Sequence, residues 1–168
     1  MTSERPPPAA WGKHLAASLR AIRKARGLSA AQVAERMGMD RRNYANFEGG
    51  RGRLSVTRVL AFAEVTDSDA WAILAAVLIG APRLALDAAD NKMLLAFFIL
   101  LGEFEGRLGE KVRLLDTADV VTAFAASFRE LEDLLAERQA RKPADWLREG
   151  AARLGLKVPD PLSEDEPS

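Results

Sequence analysis

Apolar positions along this chain recur at helical spacing and nowhere alternate as a half-buried strand would. Leu15, Leu19 and Ile22 fall four and three apart, on one face of a helix that begins near Trp11. Gly27 ends that helix. Ser29 is a good N-cap for a short second helix through Met37, which Gly38 stops. Asp40 is the next cap, for a third helix running to about Glu48. Ser55 caps a fourth, with Val56, Val59, Leu60 and Ala63 on one face. The polar run Thr66–Asp69 makes a turn, and a fifth helix runs from about Ser68 to Ile79 before Gly80 and Pro82. Five helices joined by short turns predict an all-α domain over residues 9–82. Pro6, Pro7 and Pro8 cannot enter a helix interior, so residues 1–8 read as a disordered arm.

Residues 83–90 read as a connection to a second helical region, placed at 88–156. There Leu94, Phe97, Leu101, Phe104 and Leu108 alternate spacings of three and four. Val121, Phe124, Phe128, Leu131 and Leu135 do the same. These are heptad-like seams on two helices of about 20 residues. The short loop between them, roughly Arg113–Asp119, fits an antiparallel hairpin. Pro143 opens a short last helix through Leu154, closed by Gly155. Residues 157–168 are acidic and proline-containing, and read as a disordered tail.

Composition narrows the chemistry. The 168 residues contain no cysteine, which excludes disulfides, iron–sulfur clusters and thiol nucleophiles. His14 is the sole histidine, so a zinc site is not expected. The apolar run Met93–Leu101 is far short of the roughly 18 residues a membrane span needs. The polar, proline-rich N-terminus is unlike a secretory signal, and a cytoplasmic location is expected. No phosphate-binding glycine loop and no carboxylate pair at a catalytic spacing stands out. No catalytic residue, cofactor or metal ligand is assigned, and the chain is not expected to be an enzyme.

The segment Ala30–Phe47, AAQVAERMGMDRRNYANF, meets the requirements of a helix-turn-helix. Ala34 is the small residue where two helices press together. Gly38 tolerates the positive φ of the tight turn. Val33, Met37, Met39 and Phe47 bury the inner faces. Tyr44 lies on that face too, where its ring can pack while its hydroxyl reaches a phosphate.

On these residues, the stretch 18–65 resembles the Cro/repressor-type (XRE-family) helix-turn-helix regulators, with their five-helix, lambda-repressor-like DNA-binding domain. The resemblance implies that the third helix, Asp40–Glu48, enters the major groove and that the protein acts as a dimer. It places base-edge contacts at Arg41, Arg42, Asn43 and Asn46. Arginine suits guanine O6 and N7, and asparagine suits adenine or a phosphate. It also implies a structural pair between Arg23 of the first helix and Glu48. The family often begins its second helix with a phosphate-contacting glutamine, where this chain has Ala30. Ser29 and the helix N-terminus can still offer a hydroxyl and amides to a phosphate. The loop Gly49-Gly50-Arg51-Gly52-Arg53 can settle Arg51 and Arg53 on phosphates, or leave them mobile.

Plainer interpretations stand beside these. Arg41, Arg42 and Asn46 can be solvated positions on an exposed helix. Lys13, Arg20 and Lys24 read as a solvated face and His14 as a surface histidine. Trp11, Trp71, Trp146 and the phenylalanine stripes read as packing residues. Each hairpin helix has an apolar seam that one hairpin cannot bury, so residues 90–140 or so are expected to form a homodimeric four-helix bundle. The alternative is a hairpin folded back within one chain. A two-fold dimer matches a palindromic operator in double-stranded DNA. The expected function is a sequence-specific transcription regulator, a repressor before an activator, nucleoid-associated when bound. An antitoxin-type autoregulator with a protein partner on Asp87–Pro159, and an interaction module that no longer reads DNA, remain open.

The formal net charge is zero, from 24 basic and 24 acidic side chains. The average hides two unlike halves. Residues 1–58 hold 12 basic and 4 acidic groups, a net of +8, and residues 59–168 hold 12 and 20, a net of −8. DNA responds to the local field within a Debye length of about 8–10 Å, so the neutral total does not exclude it.

Overall fold

Four of the first five helices start where a short polar side chain takes up backbone N–H groups that the helix cannot itself satisfy. A computed structural model describes residues 7–140. In it, α1 spans Trp11–Ala25, α2 Ala30–Arg36, α3 Arg41–Glu48, α4 Val56–Val65 and α5 Ala70–Ile79. Three more helices follow: α6 at Pro82–Asp87, α7 at Met93–Leu108 and α8 at Thr117–Ala140. Short 3-10 turns occupy Pro8–Ala10 and Gly109–Leu114, and there is no strand among the described residues. The fold is all-α.

Ser29 Oγ accepts from the Gln32 N–H at 3.2 Å while Gln32 Oε1 accepts from the Ser29 N–H at 2.8 Å, a reciprocal capping box. Asp40 Oδ1 accepts from the Asn43 N–H at 2.9 Å, and Ser55 Oγ from the Arg58 N–H at 3.4 Å. The cap of α5 is Asp69, whose Oδ1 accepts from the N–H groups of Trp71 and Ala72 at 2.9 and 3.1 Å. In the α2–α3 turn, Gly38 sits at φ +63°, where a Cβ would be strained. The Met39 N–H closes that turn on the Ala34 carbonyl at 2.8 Å.

The core collects the inner face of every N-terminal helix: Leu15, Leu19 and Ile22 of α1, Val33 and Ala34 of α2, Phe47 of α3, and Val59 and Phe62 of α4. Phe47 meets both Tyr44 and Phe62 edge-on at 6.3 Å. Met37 and Met39 pack against this cluster from its rim. Helix α5, AWAILAAVLI, is apolar all round and packs against α1, α4, α6 and α7, with Leu78 and Ile79 exposed at its end.

The segment expected to be a connection at 83–90 is instead largely helical and packed. Pro82 does not end the helical domain; it occupies the first turn of α6, where its missing N–H is not needed. Ala85, Ala88 and Ala89 are buried at 0%, 2% and 1% exposure, so this segment packs in the core instead of crossing solvent. Ser18 Oγ of α1 donates to the Pro82 carbonyl at 3.3 Å.

The chain divides into two compact units between Gly109 and Glu110, so α7 belongs with the N-terminal helices. The break after α7 comes earlier than the expected Arg113–Asp119 loop, at Gly109, which has φ +53°. In the second unit, the α8 seam Val121, Phe124, Phe128, Leu131 and Leu135 is 46–61% exposed. The last helix expected at Pro143–Leu154, the acidic tail and residues 1–6 of the arm lie outside the described residues.

Candidate nucleic-acid interface

Helix α3 has two chemically distinct faces. Its inner face buries Tyr44, Phe47 and Glu48. Its outer face exposes Arg41, Arg42 and Asn43, with Asn46 half-buried one turn later. This division follows from the 3.6-residue period, which turns 44, 47 and 48 inward together. The Asn43 side-chain amide donates to Asp40 Oδ2, so this asparagine is engaged in the α3 cap. Arg41, Arg42 and Asn46 remain the outward polar groups of the helix.

A polar cluster behind α3 holds it to α1. Arg23 Nε donates to Glu48 Oε1 at 2.5 Å and Nη2 to Oε2 at 3.2 Å, a two-pronged ion pair with side chains 15% and 11% exposed. Arg23 Nη1 donates to the Leu28 carbonyl at 3.0 Å, tying the same side chain to the α1–α2 turn. The hydrogen bond to Glu48 raises the Arg23 pKa above its already high ordinary value. Its donors serve the interior, and Arg23 is not displayed to a ligand.

The expectation that the Tyr44 hydroxyl reaches a phosphate fails here. Tyr44 is 1% exposed, and its hydroxyl donates to Glu48 Oε1 at 2.9 Å. Burial first, and this hydrogen bond second, push the phenol well above its ordinary pKa. The physical reason is that Glu48, one helical turn on, is turned inward with Tyr44 and held there by Arg23, so its carboxylate takes the hydroxyl.

Ser29 is exposed, and its Oγ serves as the acceptor of the α2 capping box. The hydroxyl keeps one donor. The loop after α3 is anchored in the structure. Gly50 sits at φ +66° with its backbone against Gly12 of α1. A Cβ on Gly12 would stand 2.3 Å from the Gly50 carbonyl oxygen, and a Cβ on Gly50 only 1.8 Å from that of Gly12. Only two glycines allow this approach, and it fixes the loop backbone from which exposed Arg51 and Arg53 project.

A cleft of about 390 Å³ opens beside that contact, floored by Leu15 and Phe47 and bordered by Arg51, Arg53 and Arg58. Arg58 was not among the residues singled out from sequence. It is exposed in the first turn of α4, and it also borders the groove beside Asp40 and Asn43 at the start of α3. Its signal was a basic residue three positions after an N-cap serine, which by itself marks nothing. Among the described residues no group of His, Cys, Asp and Glu could hold a metal ion. No helix among them is long and apolar enough to cross a membrane.

Two short helices, a left-handed glycine turn, and an outward basic face on the second helix define the motif, and a family model described as a helix-turn-helix domain matches residues 14–70. Residues 14–70 are a helix-turn-helix domain. No curated protein and no solved structure matches the chain. The helix-turn-helix domain implies DNA binding, and most of it lies within residues 1–58, which carry a net charge of +8. The matched region ends at Ala70, inside the packed unit that continues through α7.

Proposed function

We propose that this protein is a sequence-specific regulator of the Cro/repressor type that binds a palindromic operator in double-stranded DNA as a homodimer. The observation that carries this reading is the division of α3, with Tyr44, Phe47 and Glu48 buried and Arg41, Arg42 and Asn46 directed outward. Placed in the major groove, Arg41 and Arg42 present forked donors to guanine, and Asn46 presents an amide to adenine. Asn43 contributes to base reading through the carbonyl of an amide whose nitrogen is already committed to Asp40. Arg51, Arg53 and Ser29 hold phosphates and set the register, with Arg58 as an added phosphate contact. The protein acts by binding, in the cytoplasm, without catalysis. Occupancy of a promoter is enough for repression.

The dimer reading rests on α7 and α8. Leu95 and Phe97–Leu101 of α7 are 37–62% exposed, as is the α8 seam. Apolar surface on this scale favours a protein partner. A second copy suits the two-fold symmetry of an operator. A toxin-like partner on the same helices is the competing occupant.

Selection of bound duplexes from random DNA, followed by a gel shift at moderate salt, tests the reading. Enrichment of a palindrome by the folded full chain supports it. Equal binding to all duplexes, or none, refutes it. Arg41→Ala with Arg42→Ala then removes discrimination at the matching base pairs, each forked contact carrying about 1–3 kcal/mol.

A further inference from the structure

Helix α7 has one local cap bond, from the Met93 N–H to Asn91 Oδ1 at 3.0 Å. Lys92, the residue preceding it, is in the left-handed conformation at φ +52° and makes no side-chain cap bond. The N–H groups of Leu94 and Leu95 instead donate to Asp69 Oδ2, at 2.9 and 3.0 Å. The other oxygen of that carboxylate caps α5. One side chain, 1% exposed, therefore closes the first turns of two helices.

Further links surround it. Arg26, at the end of α1, donates through Nε to the Thr66 carbonyl at 2.8 Å. Its Nη2 donates to the Asp67 carbonyl at 2.8 Å and to Asp90 Oδ1 at 2.5 Å. Lys92 Nζ donates to Asp67 Oδ1 at 3.0 Å. The rings of Trp71 on α5 and Phe98 on α7 lie 4.6 Å apart. Arg26 is the C-cap of α1, the helix that carries the Arg23 that grips α3 through Glu48. Named contacts thus run without a gap from the outward-facing helix α3 to α7.

We propose that this joint makes α3 and α7 parts of one rigid body, and that Asp69 thereby sets the half-site spacing that the dimer accepts. The inference rests on the homodimer reading above, in which residues 90–140 join the two copies. A slack segment at 83–95 would let each helix-turn-helix swing to meet its half-site. Directional hydrogen bonds to a buried carboxylate do not permit that swing. Each added base pair moves a half-site about 3.4 Å and turns it about 34°. A rigid protein must twist or bend the DNA to follow, at a steep cost in affinity. Asp69 is a positioning residue in this scheme and touches no DNA.

The test uses the full chain and synthetic duplexes carrying the selected half-sites, with the gap changed by one or two base pairs either way. Asp69→Ser is the informative variant, because serine still caps α5 but has no second oxygen for Leu94 and Leu95. The native protein is expected to lose about tenfold or more in affinity over these changes. Asp69→Ser is expected to bind the native gap within a few-fold and to fall off more gently. Uniform binding of all gaps by the native protein overturns the proposal, as does equal steepness in Asp69→Ser. Should Asp69→Ser not fold, amide exchange in the native protein decides: Leu94 and Leu95 N–H groups that exchange as fast as chain ends overturn it, and core-like protection supports it. Light scattering separates the two layers. A monomeric full chain ends the homodimer reading and this proposal together, whereas a dimer indifferent to spacing ends only the proposal.

Discussion

The Asp69 carboxylate accepts the backbone N–H of Leu94 at 2.9 Å, across 25 residues of chain, and so ties the cap of α5 to the first turn of α7. This bond explains why the packed unit does not stop at the matched helix-turn-helix. A buried carboxylate is costly unless its lone pairs are filled, and four N–H groups fill those of Asp69. The acid is accommodated because it closes two helix ends at once.

Replacing Asp69 by alanine therefore leaves four N–H groups without their acceptor in a partly buried site. Loss of one N-cap costs about 1 kcal/mol, and stranded buried donors cost about 1–3 kcal/mol. Asp69→Ala is expected to lower stability by about 2–4 kcal/mol in urea unfolding. A change below about 0.5 kcal/mol, the range of an ordinary surface substitution, would mean that the double cap is not made in solution.

The Arg23–Glu48 pair calls for a different experiment. Truncating either partner leaves a largely buried charge behind, which costs about 3–5 kcal/mol at a fully buried pair and somewhat less at this partly exposed one. Arg23→Met with Glu48→Leu removes both charges and is expected to be less destabilised than either single change. Arg23→Lys keeps the charge but cannot make both prongs, so it should recover only part of the loss. A double variant as unstable as the sum of the singles would show that the pair is not coupled.

The parts legible in the sequence are those governed by local rules. Ser29, Asp40 and Ser55 are caps in the structure because capping depends on the next three residues alone. Gly38 shows the left-handed turn for the same reason. What escaped depends on residues distant in sequence. Tyr44 has the composition of a surface aromatic with a reachable hydroxyl, until Glu48 and Arg23 enclose it. Asp69 shows its α5 cap locally but not its second oxygen's partners 25 and 26 residues on. Helix α6 was hidden because Pro82 after Gly80 reads as a stop, and the alanines that bury it carry little hydrophobic signal. Gly12 had a signal that could have been used: a glycine in the first turn of a helix gives up stability unless something needs the space.

Tyr44 is the only tyrosine in the chain, which makes its ionisation directly observable. Burial and donation to Glu48 raise its pKa above the ordinary 10.0. For an acid whose pKa is raised on folding, the stabilisation is complete below the unfolded value and is lost as pH climbs beyond it. Stability should thus fall as pH rises above 10.0, and tyrosinate absorbance near 295 nm should appear with unfolding, not ahead of it. Tyr44→Phe keeps the ring packing, loses about 1–2 kcal/mol at neutral pH with the hydrogen bond, and flattens this alkaline dependence. Tyrosinate absorbance rising through pH 10 in fully folded protein would contradict the buried geometry.

The arginines outside α3 separate by salt dependence. Arg53→Ala and Arg58→Ala are each expected to weaken binding to all duplexes alike and to reduce the slope of log affinity against log salt by about one. Arg41→Ala should instead change which base pairs are preferred. A shifted preference in Arg58→Ala, with an unchanged slope, would place that side chain on a base edge.

The Gly12–Gly50 approach supplies a graded comparison. A methyl on Gly12 would meet the Gly50 carbonyl oxygen at 2.3 Å, so α1 and the loop must move apart. A methyl on Gly50 would meet the Gly12 carbonyl oxygen at 1.8 Å and would also force alanine into φ +66°. The left-handed conformation alone costs a non-glycine residue about 1–2 kcal/mol. Gly50→Ala should therefore be the more destabilised of the two in thermal unfolding. Both displace the backbone that carries Arg51 and Arg53, so each should lower DNA affinity even in the fraction that remains folded. Gly27→Ala is the control: it shares the positive φ, at +65°, but a Cβ there meets nothing within 4 Å. It should lose stability through backbone strain while leaving DNA affinity intact. If Gly27→Ala and Gly50→Ala proved equal in both measurements, the close approach to α1 would have no part in holding the loop.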